Sequence, residues 1–168
     1  MSVSLHVALS SVVHQMLPAL SNVLGKAAAH AEARKIDQSV LLNARLYPDM
    51  LPLSRQIQIV SDSVKGAAAR LAGVENPSYA DTETTFAELQ ERLAKTLAFF
   101  DSIPAEAINN ATAKEINFKA GPAELSFHGT HYVLNWVFPN MYFHVATAYD
   151  ILRHNGVEIG KRDYLGRA

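Results

Sequence analysis

Apolar residues recur every three or four positions along most of this chain, and that period decides what it can fold into. Leu5, Leu9, Val12, Met16, Leu20, Val23 and Ala27 trace one face of a helix from about Leu5 to Arg34. Leu53, Ile57, Val60, Val64, Ala67 and Leu71 do the same over roughly Pro52 to Leu71, with Gly73 as the stop. Phe86, Leu89, Leu93, Leu97 and Phe100 mark a third helix, which Thr85 and Glu88 open as a capping box. A fourth runs from about Thr130 to His154, closed by Gly156. A helix with one apolar stripe must bury it against neighbours. Four such helices, each roughly 20 to 30 residues, predict an all-α four-helix bundle.

Punctuation refines this picture. Pro18 in helix one and Pro139 in helix four each remove a backbone donor and predict a kink. Residues 36 to 50 read as a connector with a short helix at Gln38–Ala44, and "VENPSYADTETT" reads as a loop. Between helices three and four the period changes to two. "KEINFKA" and "AELSFHG" alternate polar and apolar around Gly121-Pro122. That predicts a small β-hairpin with Ile116, Phe118, Leu125 and Phe127 on one face. Two strands are marginal alone, so the hairpin should lie against the helices.

A length of 168 residues fits one domain, 1–168, with mass enough for a core. There are no cysteines, which excludes thiolate chemistry and leaves His, Asp, Glu and amides as metal donors. Fifteen basic against 16 acidic residues give a net charge of -1, too little for a surface that tracks phosphates. Neither nucleic acid nor a membrane is expected as a partner. "MSVSLHVALSSVVHQM" has no basic start and no small-residue cleavage site, and no apolar run reads as membrane-spanning. The cytoplasm is the expected location.

The last helix carries the most informative pattern. At 100° per residue, Val133, Trp136, Asn140, His144, Thr147 and Ile151 form one narrow stripe. Asn140 and His144 then point into the bundle, where an amide and an imidazole must find partners. They could satisfy each other, bind a small molecule between helices, or hold a metal; His144 could also serve as a general base. On helix two, Gln58 and Asp62 share a face that lies off the stripe, near Lys65, and Gln56 lies closer to the stripe. His14 is expected in solvent; His128 and His131 straddle Gly129 at a helix start. No Glu-x-x-His pair, phosphate loop, nucleophile elbow or dinucleotide fingerprint is present.

Three strings carry a family resemblance: "ARLYPDMLPLSRQIQIVSDSVKGAAARLAG", "DTETTFAELQERLAKTLAFFD" and "PNMYFHVATAYDILRHNGVEIGKRDYLG". Through them the chain resembles the DinB/YfiT-like superfamily, in a branch catalogued as a domain of unknown function. The resemblance implies a four-helix bundle, often a homodimer. Many members hold a divalent metal, zinc or nickel, with three histidines, and act as transferases or hydrolases on small molecules. Here His144 matches the second histidine of the last-helix pair, and Asn140 stands where the first would be. The helix-two histidine aligns near Gln58, with Gln56 the alternative register. Two amides in place of two imidazoles imply no intact three-histidine site and no resident metal. A small polar pocket of Gln58, Asp62, Trp136, Asn140 and His144 is the expected remnant. The alternative is a divergent metal-dependent transferase or hydrolase, with His144, Asn140 and Gln58 as ligands. Tyr142 and Tyr149, off the stripe, are consistent with a homodimer surface.

Overall fold

A computed structural model describes residues 3–167. Its first helix, α1, spans Leu5–Ala33 and runs through Pro18, with the Ser4 hydroxyl accepting the Val7 N–H at its start. A short α2, Gln38–Leu42, follows. Helix α3 is Leu53–Ala72, ended by Gly73 in the left-handed conformation. Helix α4 is Phe86–Asp101 and opens on the expected box: Glu88 N–H donates to Thr85 Oγ1 at 3.2 Å, and Thr85 N–H donates to the Glu88 carboxylate at 2.9 Å. A short α5, Ala105–Asn109, leads into strands β1, Glu115–Ala120, and β2, Ala123–His128. The last long helical run comprises α6, Gly129–Tyr132, a π-helical turn over Val133–Val137, and α7, Phe138–His154. Helix α8, Lys161–Tyr164, closes the chain. Among the described residues the architecture is thus mostly helical with one two-stranded antiparallel sheet.

Helix α3 is the central element. It packs on α7 along one side and on α4 along another, while α1 packs on α4 and α7. Its whole expected stripe, Leu53 to Leu71, is buried. A Ser61–Thr96 hydroxyl pair at 2.6 Å joins α3 to α4 inside this core. Burying these stripes is the main stabilising term, at about 25 cal/mol per Å² of apolar surface. Helix α1 differs from the expectation in one respect. By length and composition it is, among the described residues, the one helix that could cross a membrane. Its apolar side, including Leu9, Val13, Leu24 and Ala27, is instead buried within the fold.

The hairpin pairs Ile116 with Phe127 and Phe118 with Leu125. Ile116 is buried and the other three are half-buried, so all four share the inward face. The start of α6 is pinned beneath it, where Gly129 N–H donates to the Lys114 carbonyl at 2.9 Å. A Cβ at Gly129 would lie 1.9 Å from the Ala111 carbonyl oxygen, so only glycine fits this crossing. Two short helices, α5 and α8, fall outside the sequence expectation; both are too brief to show a period.

Candidate functional site

The π-helical turn governs the site. Phe138 N–H donates to the Val133 carbonyl, five residues back, so the turn holds one residue more than an α-helical turn. Pro139 follows at once and has no N–H to give. One extra residue moves every later side chain by one position around the axis. The fully buried line is Val133, Val137, Met141, Val145, Ala148 and Leu152, none more than 2 % exposed. The expected stripe of Trp136, Asn140 and His144 is therefore turned to the flank, and all three residues are half-buried. Thr147 and Ile151 remain inside.

Asn140 and His144 do not bond each other. The Asn140 amide donates to the Trp136 carbonyl of its own helix at 2.7 Å. The His144 ring meets α3 instead, with Nδ1 2.6 Å from Gln56 Oε1. The Gln56 amide nitrogen donates to the Leu51 carbonyl at 2.9 Å, which fixes Oε1 toward the ring. An amide oxygen only accepts, so Nδ1 carries the proton and Nε2 keeps its lone pair. Burial pushes the His144 pKa below its ordinary value, favouring this neutral tautomer. Phe143 meets the His144 ring nearly at right angles, at 5.2 Å between centroids.

Gln58 and Asp62 lie elsewhere. Arg55 donates to Gln58 Oε1 at 2.6 Å, and Gln58 Nε2 donates to Glu83 at 2.8 Å. Asp62 accepts from Arg92 at 3.0 Å and pairs with Lys65 at 3.2 Å. Arg92 is buried, and it also donates to Glu83 at 2.9 Å and to the Ala80 carbonyl at 3.1 Å. Among the described residues its Nε is the one buried side-chain nitrogen or oxygen without a partner. For Glu83, burial alone would raise the pKa, but the bonds from Arg92 and Gln58 hold it below the usual carboxylate range. This cluster clamps the loop 74–85 onto α3 and α4.

A cavity of about 380 Å³ opens between α3, the hairpin and the π-helical turn. Ile59, Ser63, Arg70, Phe118, Tyr132 and Trp136 are its main walls, and Asp62 reaches its rim. Gln56, Ile59, Ser63, Gly66 and Arg70 step by three and four along α3, so they share a face about 20 Å long. His144 and Gln56 lie at one end of that face, Arg70 and Tyr132 at the other. Of the five expected pocket residues, two, Asp62 and Trp136, line this cavity. Gln58, Asn140 and His144 do not.

The donors in hand do not fit a three-ligand divalent metal. Of the three ligand positions that the family resemblance implies, only one, His144, is an imidazole. Asn140 presents its N–H to a helix carbonyl, and Gln58 turns away from α7 toward Arg55 and Glu83. Among the described residues no three His, Asp or Glu side chains come together as a metal cluster. Sequence reasoning weighed Gln56 only as a second register and missed Arg70, Phe118 and Arg92. For Arg70 a signal existed: it lies at the end of the Gln56–Gly66 face.

Residues 5–165 match the family described as Domain of unknown function (DUF1993). No curated protein matches. Among solved structures the chain is similar to the crystal structure of a DinB family member protein from Shewanella denitrificans. The two share 41% identity over 93% of this chain and 88% of that one, with a TM-score of 0.83.

Proposed function

The chain belongs to the DUF1993 family, a DinB-like branch, and from that premise we propose that it is a metal-independent small-molecule-binding bundle. In this reading α1, α3, α4 and α7 are the four bundle helices, and the hairpin covers one end of the α3–α7 groove. The ligand occupies the cavity beside Trp136 and Asp62. His144, held as its neutral tautomer by Gln56, offers Nε2 as a hydrogen-bond acceptor at the far end of the groove. A single observation carries the proposal. The residues that the resemblance assigns to metal-ligand positions are engaged otherwise: Asn140 bonds a backbone carbonyl, Gln58 bonds Arg55 and Glu83, and His144 bonds Gln56.

The test is elemental analysis of protein prepared without an affinity tag. Substoichiometric zinc, nickel and iron are expected, and EDTA should leave the melting temperature unchanged. One metal per chain, lost together with stability in His144→Ala, would instead establish the divergent metal-dependent transferase or hydrolase. The arrangement Leu51–Gln56–His144 is the observation that favours that second reading, because metal-bound histidines commonly donate their other N–H to a fixed acceptor. The homodimer implied by the DinB resemblance belongs to the same proposal. Tyr149 lies against Tyr164 of its own chain, at 6.2 Å between centroids, which leaves exposed Tyr142 and Phe143 as the aromatic surface of α7. A monomer mass by light scattering would remove it.

A further inference from the structure

Among the described residues Arg70 has no carboxylate partner, and it lines a cavity with aromatic walls. Its guanidinium stacks on Phe118, 4.6 Å from the ring centroid, and Nη1 donates to the Tyr132 hydroxyl at 3.0 Å. Those contacts cover one face and use one of five N–H donors. Among the described residues no carboxylate oxygen lies within 4.0 Å of its nitrogens. Asp62, the acidic residue at the same cavity, is taken by Lys65 and Arg92. The neighbouring Lys119 pairs with Glu124 at 3.3 Å. Gly66 makes the room: a Cβ there would come 2.5 Å from Arg70 Nη1. Phe118 and Phe127 meet each other, and each meets Tyr132 and Trp136, at centroid distances between 5.3 and 6.2 Å. A fixed guanidinium with free in-plane donors matches a carboxylate bidentately, and the ring wall beside it matches a flat apolar body. A volume of about 380 Å³ suits one small ring and its side chain.

We propose that this cavity binds a small aromatic carboxylate, its carboxyl group on Arg70 and its ring against Phe118 and Trp136. The assignment rests on the reading of the cavity as a ligand site, and it adds the ligand's chemical class.

Trp136 is the chain's single tryptophan, so its emission reports on this cavity alone. The intact protein is titrated with phenylacetate, with its neutral isostere phenylacetamide and with inorganic phosphate. Phenylacetate is expected to change Trp136 emission saturably and to bind roughly tenfold to hundredfold more tightly than the amide. Its affinity should fall as salt rises, and phosphate should leave the emission unchanged. Arg70→Gln should erase the preference for acid over amide. Gly66→Ala should do the same without removing the charge, because its new methyl would lie 2.5 Å from Nη1 and push the guanidinium off its seat on Phe118 and Tyr132. Circular dichroism melts show whether each variant is folded; if Arg70→Gln fails to fold, Gly66→Ala carries the test. Equal binding of acid and amide would overturn the carboxylate assignment and leave the cavity reading standing. Acid preference surviving in both variants, or silence from all three probes, would also overturn it. Metal content, measured separately, reports on the functional reading independently of these results.

Discussion

His144 shows how much one side chain's meaning depends on its partner. Its ring is a hydrogen-bond donor to Gln56, and burial lowers its pKa. The native state therefore resists protonation, while the unfolded chain takes a proton near the ordinary value of about 6.5. A depressed native pKa means that stability is flat above about pH 6.5 and falls as the pH drops below it. Urea midpoints measured from pH 7.5 to 5.5 should fall in the wild type and flatten in His144→Gln. A decline confined to lower pH would point to Glu83 and Asp81, whose lowered pKa values place their loss below the ordinary carboxylate range of about 4. Asn140 teaches the converse. It reads as a ligand position, yet its amide serves the backbone at Trp136.

Among elements, the helices α1, α3 and α4 were legible because no inserted residue breaks their period, although Val13 takes the buried place expected of Val12 in α1. Leu53 to Leu71 falls where a 3.6-residue repeat puts it, and the Thr85–Glu88 box forms as read. The last helix was legible in extent but not in phase. Its one extra residue at Val133–Val137 moves the buried line from Asn140 and His144 to Met141 and Val145. A wheel drawn at 100° per residue has no means to include an inserted residue. The hairpin was legible through its alternation, but its seat was not: Gly129 sits against Ala111 through a contact between segments. Gly129→Ala should lower stability by about 2 kcal/mol, since backbone on one side or the other must move. Equilibrium denaturation checks this, with Gly160→Ala, where a Cβ meets nothing within 4 Å, as the comparison.

Across the whole molecule, two polar clamps hold the irregular parts to the helices. Arg92 ties the loop 74–85 to α3 through Asp62, Asp81 and Glu83. Asp163 of α8 accepts from Lys26 of α1 and, at 2.8 Å, from Gly160 N–H. Arg92→Met should cost roughly 2–3 kcal/mol, less than breaking a fully buried pair because Asp62 and Asp81 remain in contact with water. Proteolysis should then cut first between residues 74 and 85; an unchanged cleavage pattern would deny Arg92 this role. The sequence by itself determined the helical class and the hairpin, because each is written in local period; it also places amides at Asn140 and Gln58, where the DinB resemblance implies imidazoles. Only the tertiary structure decided that Gln56 rather than Gln58 meets His144, that Gln58 joins Arg92's carboxylates, and that Arg70 faces an aromatic cavity. Those pairings depend on helix phase and on contacts between distant segments, and no local pattern encodes either.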